Sequence, residues 1–239
     1  MDTSNIFELT LSGPGKNALS SSMLSFILAE LDRAAGAPVL ITGAGDAFSA
    51  GLDLKEVASR DGETMIEFLT LLEACMTALY LYPGPIVGLI NGHAIAGGAV
   101  VALCCDVRVA ASKPNMKIGL NEVALGLRFP PRILSIVRRR LPSAFVEEVL
   151  LGAALYDPAA ALRVGLVDVV ADDPAPIARA RLAALAAHPA EAYALTKGDL
   201  RGNKNGLCPD DEEAHALAGL VAQWTAGSVR QKIATILKR

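Results

Sequence analysis

Two glycine-bearing stretches and one glutamate supply the residue types from which chemistry could be built. In the first stretch, an apolar strand-like run over 85–90 turns at Asn91-Gly92 and passes through Gly97-Gly98 into small and aliphatic residues ending at Cys105-Asp106. Glycines at a helix start leave backbone N–H groups uncovered by any Cβ, so a ligand oxygen can approach, and the aligned peptide dipoles favour negative charge there. In the second, Gly43-Ala44-Gly45-Asp46-Ala47-Phe48-Ser49-Ala50-Gly51 follows a strand and precedes a helix, with further donors around Gly51 and Leu52. Two donors on one oxygen suit an enolate or tetrahedral oxyanion better than a neutral carbonyl, and one donor of this kind contributes ~3 kcal/mol in a transition state. Glu122, after Gly119-Leu120-Asn121, is the candidate base. Each feature also has a structural reading: glycine pairs serve close packing of core helices, and acidic residues in a first turn complement the helix dipole.

Other chemistries find less support. The glycine loop has Phe48 where a dinucleotide fingerprint needs its third glycine, and no Gly-Lys-Ser/Thr follows. Ser49 has no indicated His/Asp partners. His93, His188 and His215 show no metal or nucleophile spacing, and only His93 lies near the cradle in sequence. Cys75, Cys104, Cys105 and Cys208 also lack ligand spacing and read as buried thiols of a reducing compartment, so no metal site is expected. Arg138-Arg139-Arg140 reads as a solvated helix end, with a phosphate contact as the alternative.

The elements that must position these groups follow from periodicity and punctuation. Strands are expected over 6–11, 38–42, 85–90, 107–110, 116–118 and 166–170. Helices are expected over 23–35 behind a Ser20-Ser21-Ser22 cap, from 52–54 with Asp53 at its start, over 62–81, and within 94–105. Further helices are expected over 132–141, 143–151 and 158–164. From 174 onward the pattern is helical only, over 177–187, 189–201 and 211–237, with a loop at 202–209. In the 62–81 helix, Ile66, Leu69, Leu72, Cys75, Met76 and Leu79 form the expected buried face. The outcome is a layered or spiral α/β core over residues 1–186 and a helical region over 187–239.

The 239 residues are 52% hydrophobic, 20% charged and 5% aromatic, the composition of a well-buried soluble α/β protein. A net charge of −3 argues against a nucleic-acid surface. The apolar stretch 94–105 is short of the ~20 residues that span a bilayer. The start Met1-Asp2-Thr3-Ser4 lacks signal or transit character, so a cytoplasmic protein is expected, without membrane partners.

Three separated motifs carry a family likeness: Phe48-Ser49-Ala50-Gly51-Leu52-Asp53-Leu54, the Asn91–Asp106 block, and Ala161-Leu162-Arg163-Val164-Gly165-Leu166-Val167-Asp168. In order and spacing they resemble the crotonase, or enoyl-CoA hydratase/isomerase, superfamily over nearly the whole chain. The resemblance implies an α/β spiral of ββα units with a C-terminal helical trimerisation region, acyl-CoA thioester substrates, and homotrimers or hexamers. Coenzyme A would come and go with the substrate, with no permanently bound cofactor. By motif position, the N–H groups of Leu52 and Gly97 would form the oxyanion hole. Lys16 and Ala18, in Lys16-Asn17-Ala18-Leu19, resemble the family's early CoA-contacting segment, and Ala50, Leu52 and Leu54 would line the pantetheine and adenine path.

The hydratase branch uses two glutamates. One matches Glu122; the other position is Val100, which removes a carboxylate that hydration needs. Ile118-Gly119-Leu120-Asn121-Glu122, the following Leu125-Gly126 and the tail Ser228-Val229-Arg230-Gln231-Lys232 are similar to mitochondrial-type Δ3,Δ2-enoyl-CoA isomerases. This implies a one-base proton shift, with Val100, Leu125 and Phe129 as apolar walls that raise the Glu122 pKa. Another crotonase reaction, such as decarboxylation, thioester hydrolysis or weak hydration, and a non-catalytic acyl-CoA-binding subunit stand as alternatives. Whether the C-terminal helix folds back or crosses to a neighbour is left open.

Overall fold

The computed structural model describes residues 6–238, so Met1-Asp2-Thr3-Ser4 lies outside the described residues. In chain order the elements are β1 (Phe7–Leu11), α1 (Pro14–Asn17), α2 (Ser21–Ala34), β2 (Val39–Gly43), β3 (Ala47–Ser49), α3 (Leu54–Ser59), α4 (Gly62–Leu81), β4 (Ile86–Ile90), β5 (His93–Ile95), α5 (Gly97–Cys104), β6 (Val107–Ala111), β7 (Ile118–Gly119), α6 (Glu122–Leu125) and α7 (Pro131–Arg140). A 3-10 turn (Ser143–Phe145) leads to α8 (Val146–Gly152), α9 (Pro158–Arg163), β8 (Val169–Ala171), α10 (Pro174–Ala186), α11 (Ala190–Arg201), α12 (Lys204–Leu207), α13 (Asp210–Trp224) and α14 (Gly227–Leu237).

Two parallel sheets result, one ordered β1-β2-β4-β6-β8 and the other β3-β5-β7. Each pair β2–β3, β4–β5 and β6–β7 gives its first strand to the large sheet and its second to the small one, and a helix follows. This is the expected spiral of ββα units. The corners between the paired strands demand bare backbone: a Cβ on Gly43 would stand 2.0 Å from the Ala47 carbonyl, and one on Gly92 1.9 Å from that of Asp46. Asn91 ties two corners together, its Nδ2 donating to the Gly43 and Gly45 carbonyls (2.8 and 3.1 Å) while its Oδ1 accepts from the Gly43 N–H at 3.1 Å.

Of the small sheet, only a strand over 116–118 is read from the residues, and it falls at β7 (Ile118–Gly119); β3 and β5 are not read. Its strands are two or three residues long and carry no alternation, and the glycine loop conceals β3. Four other expectations also need correction. Leu166 and Val167 close the α9 turn, where Gly165 sits at φ 77, so β8 starts only at Val169. The 202–209 loop contains α12, capped by the Asn203 side chain on the Gly206 N–H at 2.9 Å. The single 211–237 helix is two, because Ala226 is extended (φ −60, ψ 142) between α13 and α14. The arginine run is a solvated end only in part: Arg138 and Arg139 are exposed, but the Arg140 guanidinium donates to the carbonyls of Leu103 and Cys105 at 2.9 and 2.7 Å, and that of Arg139 to Arg201 at 3.1 Å.

Helix α4 is apolar and long enough to cross a membrane, yet it runs through the core against α2, α5, α7 and α13. Its expected face is buried except for Ile66, which is 43% exposed. The same helix buries Glu73 instead, whose carboxyl accepts the first N–H groups of α7, from Arg132 at 3.0 Å and Ile133 at 3.2 Å, satisfying donors that a helix start leaves open. After β8, α10 lays Ala178 and Leu182 on the large sheet against Leu40, Val87 and Val109. Asp106, between α5 and β6, anchors α11: it accepts from Lys197 at 2.9 Å, Arg201 at 2.6 Å and the Ile86 N–H at 2.7 Å. Helices α13 and α14 fold back over their own core, onto α4 and α7 and onto α3 and α6 respectively.

Candidate active site

Ala96 turns the chain from β5 into α5 at φ 50, ψ −122, a conformation an alanine rarely adopts. It leaves Gly97 as the first helical residue. Gly51, at φ 91, brings the 50–52 loop against this point, since a Cβ there would lie 2.7 Å from the Ile95 carbonyl and 3.5 Å from the Gly97 nitrogen. A Cβ on Gly97 would in turn touch the Leu52 side chain at 3.3 Å. Leu19 fixes the loop from its other side, donating to the Gly51 carbonyl at 2.7 Å and accepting from the Asp53 N–H at 3.2 Å. That pairing uses the residues on either side of Leu52. Among the described residues, neither the Leu52 nor the Gly97 N–H has an acceptor.

Glu122 is the first residue of α6, reached from β7 through Gly119, where a Cβ would meet the Ala154 carbonyl at 2.4 Å. Its carboxyl is buried, and Oε2 has no hydrogen-bond partner among the described residues. Burial pushes its pKa up to about 8, with a bond from its own N–H acting weakly the other way. Asn121 stands at the N-cap without capping, and its Oδ1 is likewise buried and unpartnered.

These groups open on one cavity of about 540 Å3. Of the residues singled out from sequence, Ala18, Ala50, Leu52, Leu54, Gly97, Val100, Glu122, Leu125 and Phe129 all line it. Val100 is 1% exposed, so no second carboxylate occupies its position. Two candidates are not brought in. Lys16 does not line the cavity; its backbone is left-handed (φ 59) and its ammonium lies 3.6 Å from Asp46 at the surface. His93 belongs to β5 and faces away, its Nδ1 accepting the Lys117 N–H at 3.0 Å. Sequence reasoning missed Leu72, Met76, Ile133, Trp224 and Leu237, which also form the wall. The i, i+4 spacing of Leu72 and Met76 was legible only as a core face, and Trp224 stood out only as the chain's single tryptophan.

Among the described residues no cluster of His, Cys, Asp or Glu could hold a metal ion. The four cysteines are free and buried. Burial pushes the Cys75 and Cys104 thiols up to about 12, far from the thiolate a nucleophile needs.

A ββα spiral with free N–H groups beside a buried carboxyl in an apolar cavity defines a class. The chain belongs to the enoyl-CoA hydratase/isomerase family, whose sequence profile matches residues 2–207, and it is an acyl-CoA enzyme of the crotonase superfamily. Its relatives lie on both sides of that family name. It is 32% identical over 200 residues to the mitochondrial enoyl-CoA delta isomerase 1 of Mus musculus, across 81% of this chain and 69% of the relative. It is 31% identical over 215 residues to a probable enoyl-CoA hydratase of Mycobacterium tuberculosis, across 88% and 83%. The chain spans 65% of the length of the human mitochondrial isomerase 1 it matches. Among solved structures, human mitochondrial Δ3-Δ2-enoyl-CoA isomerase superposes with a TM-score of 0.91 at 28% identity, over 98% of this chain and 93% of that one.

Proposed function

We propose that the protein isomerises 3-enoyl-CoA to 2-enoyl-CoA by a one-base proton shift. The thioester oxygen accepts hydrogen bonds from the N–H groups of Leu52 and Gly97. Glu122 removes a proton from C2, and the negative charge passes to that oxygen as an enolate. The same carboxyl then delivers the proton to C4 as the double bond moves from C3–C4 to C2–C3. No water enters the balance, so a second carboxylate is not needed. Coenzyme A enters and leaves with the substrate past Ala18, Ala50 and Leu54.

The observation that carries this reading is the pairing of one unpartnered buried carboxyl, Glu122, with the apolar Val100 in the same cavity. A carboxyl in an apolar site takes and keeps a proton between two carbon atoms without losing it to solvent. The likeness to named isomerases supports the reading, and the likeness to named hydratases makes the test necessary.

The test follows the conjugated thioester by ultraviolet absorbance after mixing enzyme with 3-enoyl-CoA. Wild type should give a 2-enoyl product, and Glu122→Gln should lose at least about a thousandfold in kcat, because its amide cannot accept the proton. Absence of product from the wild type would sink the reading. Conversion of 2-enoyl-CoA to a 3-hydroxy thioester at a comparable rate would show a hydratase instead.

A further inference from the structure

Behind the cavity, a set of charges joins α4, α7 and α13 and takes no part in the proton shift. Glu73 of α4 is fully buried. Its carboxyl accepts the backbone N–H groups of Arg132 and Ile133 at 3.0 and 3.2 Å, and among the described residues no side-chain cation donates to it. The Arg132 guanidinium is committed elsewhere: Nη1 pairs with Glu213 at 2.7 Å, Nη2 pairs with Asp210 at 2.5 Å, and Nε donates to the Cys208 carbonyl at 3.3 Å. Three carboxyls therefore gather at Arg132, and only Asp210 has a second cation, the exposed Lys204 at 2.9 Å. Glu213 also lies within hydrogen-bonding reach of the Glu73 carboxyl. Two carboxylates cannot both ionise in a dry contact of this kind, so one proton stays between them. Burial first, and the Glu213 carboxyl second, hold Glu73 far above the ordinary carboxylate range, outweighing the Ile133 N–H and the Arg132 charge. Cys208 stands beside the pair, its thiol pushed up by burial and then by Glu212. Of the other helices packed on α4, α5 carries no charge, α11 keeps Lys197 and Arg201 on Asp106, and α2 has Glu30 paired with Arg33 and an exposed Asp32.

Helix α13 is held at both ends. Its first turn carries Glu213. Its last turn carries Gln223, whose amide bonds the Gly126 carbonyl and the Arg128 N–H, and Trp224, whose indole Nε1 donates to the Arg128 carbonyl at 3.1 Å. The segment so gripped joins α6, which bears Glu122, to α7. We infer that Glu73 and Glu213 share one proton and that this proton is the clasp of α13: while it is held, the helix stays drawn onto α4 and α7, and when alkali removes it, two like charges face each other in a dry interface and the helix loosens. The loosening passes along α13 to the segment behind Glu122. The fold keeps a proton here that the unfolded chain releases near 4.5, so the contact stabilises fully in acid and progressively less as the pH rises. The clasp is independent of which reaction the cavity performs.

Two readouts test the clasp on the ligand-free chain between about pH 6 and about pH 9.5. Trp224 is the only tryptophan and ends α13, so its emission reports how that helix is docked. In wild type the emission should shift to the red as the pH rises, and amide exchange along α13 should quicken about tenfold beyond its ordinary base catalysis. Glu213→Gln should flatten both responses, because its amide keeps an acceptor for Arg132 and a permanent donor for Glu73. Glu73→Gln should do the same with the roles exchanged, so either variant serves if the other does not fold. Glu122→Gln and Cys208→Ser, which leave the pair intact, should keep the transition. Wild-type emission and exchange that show no such transition would overturn the proposal. So would a transition that persists in a folded glutamine variant of the pair, or one that disappears in Glu122→Gln or Cys208→Ser.

Discussion

Glu122 gives up stability for the state its proposed chemistry needs. In the unfolded chain its carboxyl titrates near 4.5, and in the fold near 8. Between those values the folded state keeps a proton that the unfolded state has released, so stability falls as pH rises through that window. Glu122→Gln, which carries no charge, should therefore melt a few degrees above wild type at pH 8, with the gap closing toward pH 4.5; calorimetry across that range checks it. The proton-accepting form is the carboxylate. kcat/KM for 3-enoyl-CoA should accordingly climb with pH and level off above about 8, and a profile already flat at pH 6 would mean that burial does not govern this group in solution. At this scale the motifs placed Glu122, Val100, Leu52 and Gly97 on one cavity, but they gave no sign that Lys16 and His93 fall outside its lining. Those two depend on a left-handed turn and on pairing in a sheet whose strands leave no periodic trace.

Among the elements, legibility followed length and punctuation. Helix α4 matched its expected bounds, because Asp61 supplies a capping box with Thr64 at its start and Pro83-Gly84-Pro85 follows its end. Strand β1 was readable from its alternation, with Glu8 and Thr10 exposed, and β2 and β4 as apolar runs, as expected for parallel strands covered on both faces. The break between α13 and α14 was not readable, since the extended Ala226 lies inside a continuous helical pattern. Nor did the sequence suggest that Asp106, read as the end of a motif, is the anchor of α11. Asp106→Ala would strand two buried cations, Lys197 and Arg201, and should cost roughly 3–5 kcal/mol in urea unfolding. A loss near that of a surface ion pair, below ~1 kcal/mol, would show that the cations find other partners.

For the whole molecule, the family resemblance carries an expectation of trimers or hexamers. The outer face of α11 is suited to such a contact, with Leu195 and Leu200 64% and 78% exposed. Light scattering should give a mass that is a multiple of three chains, and Leu200→Glu should lower it; a wild-type monomer would remove the expectation. The cavity wall itself runs in sequence from Pro14 to Leu237. A ribosome therefore releases the glutamate and both N–H donors well before the helices that roof them. A half-made chain would hold its carboxyl in open water, where it titrates as any surface acid does. On this view the site becomes competent only after synthesis has passed α14, and an incomplete polypeptide would meet the cell's thioester pool without acting on it.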